Sequence, residues 1–466
     1  MNAMATIADA LLDKYGRQGP RYTSYPPAPA WSEGIGATDL AARLAEIGRE
    51  PAPPADGLAD AELYVHIPFC ARLCTFCGCH TFITRERDPV VRWLATLERE
   101  ADAVARAAGR RLSIGGLHLG GGTPTHLDLE QLAQLLDLLE ARFDFAACRE
   151  RGLEVHPRVT SVAQLDLLRA RGFDRLSMGV QDLTPEVQAA IHRDQTADET
   201  AALAAHARAT GWRSLNVDLV YGLPRQTLAG FARTIEQVLA MGVDRLAVYG
   251  YAHVPWLKRQ QGAFTESALP DPRLRRDLLE LARARLADAG FESIGFDHFA
   301  RPTDRLFTAR AAGSLTRTFM GFTVRHARNL IGLGPSAIGE LGPLYAQNEP
   351  ALAAWEQAVA ARGLATRRGW RLSADEALRR DVIRALLCEL AVDGAAIGAR
   401  HGVDFRDHFA RELAALREMV TDGLLVVAGA RLELTAVGRH LARNVAMAFD
   451  PAQHEAGGVK RYSATV

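Results

Sequence analysis

Four of the six cysteines lie within ten residues, in the run Cys70-Ala-Arg-Leu-Cys74-Thr-Phe-Cys77-Gly-Cys79. Three thiolates at C-x3-C-x2-C spacing can wrap a compact loop around one corner of an iron–sulfur cubane. Such clusters normally take four cysteine ligands. With three, one iron is left open to an outside ligand, such as the amino and carboxylate groups of a methionine moiety. Zinc is the other chemistry these residues could support, with His66 or His80 completing the tetrahedron. Zinc sites usually draw on two separated Cys or His pairs, and no second pair is evident, so the spacing favours the cluster. Cys148 and Cys388 are isolated. Cys388 falls in the apolar helical stretch 385–390 and reads as a core thiol.

A loop of this kind needs elements to hold it. From about Leu63 to Phe296 short β-rich runs alternate with longer helical stretches. The runs are Leu63-Tyr-Val-His-Ile67, Gly116-Leu-His-Leu119, Leu153-Glu-Val-His156, Arg175-Leu-Ser-Met-Gly-Val180, Leu215-Asn-Val-Asp-Leu-Val220, Arg245-Leu-Ala-Val-Tyr249 and Ser293-Ile-Gly-Phe296. The helical stretches fall near 88–108, 128–142, 161–171, 195–211, 227–241 and 272–289. Such alternation predicts an α/β fold with a parallel sheet and right-handed crossovers. Six or seven units fall short of the eight of a closed barrel, which predicts a partial, open (β/α)6-type barrel. Functional residues on such a sheet belong at the C-terminal strand ends. There the sequence places the cysteines, Gly120-Gly-Gly-Thr-Pro124, Glu154 to Pro157, Gln181-Asp182 and Tyr221-Gly-Leu-Pro224.

Lys plus Arg and Asp plus Glu both number 55, so no electrostatic footprint for general nucleic-acid or membrane binding exists. No apolar run approaches a membrane span, and Asp9 and Asp13 interrupt the only apolar stretch near the start, which excludes a secretory signal. The cytoplasm is the expected compartment. The chain divides into residues 1–60, an N-terminal extension with a Pro- and Ala-rich linker at 50–56; 61–365, the partial barrel and its C-terminal extension; and 366–466. The last part predicts helices at 373–391 and 404–421, a hairpin of 423–427 with 432–435, and a final helix at 436–448. That order is winged-helix-like, and zero net charge favours a packing role over DNA binding.

Tyr64-Val-His-Ile-Pro-Phe-Cys70 with Cys74, Phe76, Cys77 and Cys79 resembles the signature of radical S-adenosylmethionine (SAM) enzymes of the oxygen-independent coproporphyrinogen III oxidase (dehydrogenase) family. The similarity runs from Gly19-Pro-Arg-Tyr-Thr-Ser-Tyr-Pro26 to Arg461-Tyr-Ser463. The resemblance implies that Cys70, Cys74 and Cys77 hold one 4Fe–4S cluster and that Cys79 serves the reaction without being a ligand. It implies two SAM molecules. Tyr64, Gly121, Glu154 and Ile338 match contacts to the cluster-bound one; Phe76, Gly122, Thr123, Gln181, Arg193, Asp218 and Ala252 match contacts to the second. Glu154 could pair with the ammonium of SAM and Asp218 with ribose hydroxyls or an amine, while Arg193 could equally be a surface arginine. The implied reaction converts two propionates of coproporphyrinogen III to vinyl groups, giving protoporphyrinogen IX for haem biosynthesis. A tetracarboxylate substrate needs cations, and Arg21 and Arg301 are the candidates, each with a structural salt bridge as the competing reading. A flavodoxin- or ferredoxin-type electron donor and a monomeric state are also implied.

The chain departs from the family pattern at four places. Met320 and Phe322 stand where Gln and Tyr are usual, His156 where Asp is usual, and Gly250 where Asn is usual. Each change alters a polar contact in the expected site. Competing readings are a radical SAM paralogue that transfers methyl groups or forms cyclopropanes, a non-catalytic haem carrier, and a zinc-stabilised nucleic-acid binder. Haem carriers generally lack the fourth cysteine and the N-terminal motif, and both are present here.

Overall fold

A computed structural model of the protein describes residues 9–51, 57–455 and Tyr462. The linker expected at 50–56 lies largely outside the described residues, as do the first eight residues, Arg461 and Ser463. The apolar runs form parallel strands because both of their faces are covered. β1 (Ala59–Ile67), β2 (Ile114–Gly121), β3 (Glu150–Val155), β4 (Arg175–Gln181), β5 (Ser214–Tyr221) and β6 (Arg245–Gly250) follow one another in chain order, each parallel to its predecessor. Leu63, Val65, Leu119, Leu153, Leu176, Val217 and Leu246 are all buried, the pattern of a sheet sandwiched by helices. The covering helices include α1 (Ala37–Arg49), α2 (Asp88–Ala108), α3 (Leu129–Arg142), α4 (Val162–Ala170), α5 (Ala197–Ala209), α6 (Leu228–Ala240) and α7 (Pro272–Asp288). Asp128 with Gln131, Ser161 with Gln164 and Thr196 with Glu199 form reciprocal capping boxes that fix where α3, α4 and α5 begin. Trp93, Phe143, Phe173, Trp212 and Phe231 belong to one continuous core, which Leu40, Leu44 and Ile47 of α1 join.

The expected seventh run is not a parallel unit. Glu292–Ile294 (β7) turns through Gly295, at φ 63°, into His298–Ala300 (β8), which runs antiparallel to β6 at the sheet edge. Three turn residues permit only an antiparallel hairpin. At the other edge β9 (Ala327–Leu333) lies parallel to β1. It is followed by antiparallel β10 (Ile338–Leu341), β11 (Leu344–Asn348) and β12 (Thr366–Arg371), completing twelve strands. The boundary placed at residue 60 therefore falls inside β1.

The C-terminal part has its own core of Leu378, Val382, Leu386, Phe405, Phe409, Leu424, Leu432 and Phe449. The helix expected at 404–421 is three short ones, Phe405–His408, Ala410–Ala415 and Arg417–Thr421, and an additional helix spans Gly394–His401. The final helix is a turn of 3-10 helix, Gly438–Leu441, followed by Ala442–Met447. The hairpin gains a third strand, Ala391–Asp393. Tyr15, Tyr22 and Tyr25 of the N-terminal segment pack into this core, and Tyr22 donates to Asp450 at 2.9 Å. Cys388 is 1% exposed, as a core thiol should be. Among the described residues no helix is long and apolar enough to cross a membrane.

Candidate active site

Register places the chemistry at one end of the sheet. His66 pairs with Gly120, Ile67 with Gly121, Glu154 with Ser177, and Gly179 with Asp218. Between these strand ends and the cysteine loop opens a cavity of about 500 Å³. Cys70, Cys74, Cys77, Cys79, Phe76, Gly121, Gly122, Thr123, Glu154, Gln181, Arg193 and Asp218 all line it.

The loop is tied down on both sides. His66 Nε2 lies 2.8 Å from the His80 carbonyl and its Nδ1 3.0 Å from the Tyr64 hydroxyl, so Nε2–H donates and Nδ1 accepts. His66, one of the two fourth ligands a zinc site could use, is thus committed to positioning the loop. From the other side Gln260 donates to the Cys77 carbonyl at 2.7 Å, Gln261 to that of Phe76 at 3.0 Å, and Lys258 to that of Cys79 at 3.2 Å. Cys70 Sγ rests 3.5 Å from Thr123 Oγ1, and Arg193 Nη1 lies 3.9 Å from Cys74 Sγ. Burial pushes the Cys70 thiol up to about 11 and Cys74 up as well, with the Arg193 charge acting against burial at Cys74. A hydrogen bond from Cys79 holds Cys77 below the usual thiol range.

Gly121 and Gly122 form a shelf that tolerates no side chain. A Cβ on Gly121, at φ 113°, would meet His66 at 2.7 Å, and one on Gly122 would meet the Phe69 carbonyl at 2.7 Å. Glu154 closes the shelf. Its carboxylate takes His118 Nε2 at 3.0 Å and the Gly121 N–H at 3.3 Å. Arg175 Nη2 lies 2.9 Å from His118 Nδ1, which must accept, leaving the Nε2 proton for Glu154. Asp218 accepts from Asn216 at 2.8 Å and Ser177 at 3.2 Å; burial and then the Glu154 charge push it up to about 6. Arg193 is buried, not a surface arginine; it donates to Gln195 at 2.9 Å and to the Gly179 carbonyl. His156 also lines the cavity, and its Nδ1 is buried with no hydrogen-bond partner. Three thiols around one concavity, a side-chain-free shelf and an oriented carboxylate fit a cluster with an amino-acid-bearing ligand.

Three expected SAM contacts do not line this cavity. Tyr64 is buried under Phe319 and His118. Ala252 is half-buried in the loop after β6. Ile338 sits on β10, its backbone against Gly332, and packs toward Trp31, Tyr345 and Leu372. Of the departures, Met320 and Phe322 line a smaller neighbouring space of about 60 Å³ with Glu154, Asp218 and His298. A Cβ at Gly250 would press on the Tyr221 hydroxyl at 2.9 Å. Two positioning residues carried no signal in the sequence: His118 reads as one polar residue in an apolar strand, and Arg175 as the polar first residue of another.

Arg301 lies away from this cavity. Because β8 runs antiparallel to β6, pairing Ala300 with Arg245, it delivers Arg301 to the opposite, N-terminal end of the sheet. There Arg301 donates to the Val243 carbonyl at 3.2 Å and lies over the Phe291 ring at 4.5 Å. Arg301→Ala is expected to leave the KM for substrate unchanged and to cost about 0.5–2 kcal/mol of stability through lost packing. Urea unfolding beside steady-state kinetics checks both.

Residues 64–238 match the Radical SAM superfamily and residues 372–441 the HemN C-terminal domain. The chain is 42% identical over 460 residues to the oxygen-independent coproporphyrinogen III oxidase of Escherichia coli strain K12, covering 98% of both chains. It is 39% identical to the enzyme of that name from Pseudomonas aeruginosa, covering 94% of this chain and 95% of the relative. The solved structure described as coproporphyrinogen III oxidase (HemN) from Escherichia coli, a radical SAM enzyme, superposes with a TM-score of 0.89 at 40% identity, covering 97% of this chain and 100% of that one. With similarity at that level over nearly its whole length, the chain belongs to the oxygen-independent coproporphyrinogen III oxidase family of the radical SAM superfamily.

Proposed function

We propose that the protein converts two propionate side chains of coproporphyrinogen III to vinyl groups without oxygen, giving protoporphyrinogen IX in haem biosynthesis. The observation that carries this reading is one cavity that joins a C-x3-C-x2-C thiol set, a further free thiol, a glycine shelf and two carboxylates. The activity named for relatives of near-identical extent supports it. Membership of the radical SAM superfamily implies a 4Fe–4S cluster and SAM; we read two SAM molecules.

When bound, a reduced cluster and SAM would supply a 5′-deoxyadenosyl radical able to take hydrogen from the β-carbon of a propionate, whose carboxylate then leaves as carbon dioxide while one electron passes to an external acceptor. The remaining tasks fall to this chain. Cys70, Cys74 and Cys77 would hold three irons and leave one open. Glu154, aimed by His118, takes the ammonium of the first SAM, and the Gly121–Gly122 shelf lets its methionine end approach the backbone. Asp218, Gln181, Thr123 and Arg193 serve the second. Cys79 lines the cavity beside the ligand set and is assigned to the reaction. Arg21 is the substrate cation retained from the sequence. We place the enzyme in the cytoplasm, as a monomer fed by a flavodoxin- or ferredoxin-type donor.

The test is anaerobic. Reconstituted protein is given SAM, a reductant and coproporphyrinogen III, and products are followed by mass. Protoporphyrinogen IX together with 5′-deoxyadenosine is the expected result. Deoxyadenosine without decarboxylation would move the substrate elsewhere and make Met320 and Phe322 the residues to examine.

A further inference from the structure

The carboxylates and most of the arginines of the main cavity stand at different depths. Glu154 and Asp218 lie at the strand ends that form its floor, while the exposed lip carries Arg72, Arg85 and Arg158 against one carboxylate, Asp194. Arg193 is the buried cation between the two levels, and it faces Cys74 while bonding Gln195 and the Gly179 carbonyl. Arg72 and Arg158 share Asp194, at 4.0 Å and 2.7 Å. Arg72 comes to it from the cysteine loop and Arg158 from the turn after β3. Three cations against one anion leave the lip positive on a chain whose formal net charge is zero. Two of these arginines are each followed by an exposed apolar residue that also lines the mouth, Leu73 after Arg72 and Val159 after Arg158.

Apolar side chains interleaved with arginines at an open mouth suit a ligand that is apolar at its centre and anionic at its edge. The proposed substrate is such a molecule, a tetrapyrrole with four carboxylates. The charges of Glu154 and Asp218 repel carboxylates from the floor. A cavity of about 500 Å³ that also takes SAM cannot enclose the whole macrocycle. One propionate therefore reaches inward while the other arms stay at the mouth. Arginines there keep their hydration until a ligand arrives, so a two-point contact with a carboxylate carries little desolvation cost. Asp194 is the anion that an incoming carboxylate has to displace, and its 4.0 Å reach to Arg72 is a loose one.

We propose that Arg72, Arg85 and Arg158 form a cationic lip that holds the carboxylate arms of the tetrapyrrole not being decarboxylated, with Leu73 and Val159 facing the macrocycle. The proposal rests on the substrate reading above and names residues that orient that substrate. It gives the cysteine loop two tasks, since Arg72 stands between Cys70 and Cys74. The loop that binds the cluster then also fixes where the substrate lies over it.

The experiment is equilibrium binding, by fluorescence, of coproporphyrin III and of its uncharged tetramethyl ester to the anaerobic holoenzyme, with SAM present and no reductant. Wild type should prefer the acid about tenfold or more at low salt, and the preference should shrink as salt rises to about 0.5 M. Arg72→Gln, Arg85→Gln and Arg158→Gln should each lower it about two- to fivefold, the triple variant should abolish it, and Arg158→Lys should keep most of it. Iron content identifies variants that retain the cluster, and the double variant Arg85→Gln/Arg158→Gln serves if Arg72→Gln loses it. Wild-type acid-to-ester ratios in the iron-replete variants, or no preference in wild type, would overturn the lip. A basic lip also suits an acidic electron-donor protein, so bleaching of the cluster by reduced flavodoxin and by dithionite is followed in the same variants. Slower bleaching by flavodoxin alone, with the acid-to-ester ratio unchanged, would assign the lip to the donor and overturn the proposal. Because the ratio is read without turnover, failure of the substrate reading is recognised separately in the product assay.

Discussion

Cys70→Ser, Cys74→Ser and Cys77→Ser are each expected to lose the visible absorbance and most of the iron of the reconstituted protein, and activity by about a thousandfold or more, because the cofactor supplies the chemical step. The three sulfurs share one cavity wall, and burial disfavours the Cys70 and Cys74 thiolates, a cost that a bound metal would offset. Serine offers a poorer ligand without changing the size of the loop. Cys79→Ser is the informative companion. Its backbone N–H reaches Cys77 Sγ at 3.4 Å, a contact that the substitution keeps. Cys79→Ser should therefore retain iron and absorbance while losing product. Cys148→Ser should retain both, since Cys148 lines a separate space at the far end of the sheet with Arg149 and Asp174. Iron analysis and absorbance after anaerobic reconstitution decide the matter. Full iron in Cys70→Ser, or iron loss in Cys79→Ser equal to that in Cys70→Ser, would contradict the ligand assignment.

The part of the fold that positions this loop was legible because parallel strands buried on both faces write themselves as unbroken apolar runs. The expected helix starts fall within a residue or two of the observed ones, three of which are fixed by Asp-, Ser- and Thr-led capping boxes. β9 to β12 were not legible. Arg328 and Asn329 break the apolar run of β9, and Gly339 reads as loop with the turn residues Gly342 and Pro343, although backbone pairing holds Gly339, Arg328 and Asn329 in the sheet. The seventh run failed for a related reason, since Ser293-Ile-Gly-Phe296 carries strand composition and nothing in it states direction. Strand polarity also explains why Arg301 lies away from the cavity: a residue just after a strand is at the functional end only if the strand runs with the sheet. In the site, the cysteines and Gly121, Gly122, Glu154 and Asp218 could be found from spacing, resemblance and strand-end position. His118 and Arg175 could not, because their roles arise from neighbours on β2, β3 and β4 that only the register brings together.

Glu154→Gln is expected to weaken SAM binding about 10- to 100-fold, the loss of one charge-assisted contact in a water-poor site. Burial, the largest single effect, would push this carboxylate up, but the hydrogen bonds from His118 and Gly121 and the nearby positive charge together hold Glu154 below the ordinary carboxylate range. Glu154 therefore contributes stability that is present above its unfolded pKa and lost as pH falls through the folded one. Asp218 has the opposite sign. Its pKa is raised to about 6 by burial and by the Glu154 charge, with Asn216, His298 and Ser177 acting against them. The folded chain thus holds the Asp218 proton more tightly than the unfolded one, and this group opposes folding increasingly as pH rises from about 4 to about 6. A SAM group that pairs with ionised Asp218 must bind more tightly as pH rises through that upper value. Glu154→Gln removes one cause of the upward shift, so the midpoint should move to lower pH even as affinity falls. Calorimetric SAM titrations of reconstituted wild type, Glu154→Gln and Asp218→Asn from about pH 5 to 8 separate these effects. Asp218→Asn should flatten the rise near pH 6, and Glu154→Gln should bind weakly with an earlier midpoint. Wild-type affinity in Glu154→Gln would remove that carboxylate from the SAM site. A weak but unshifted profile would mean that the two carboxylates titrate independently, with solvent rather than protein filling the space between them.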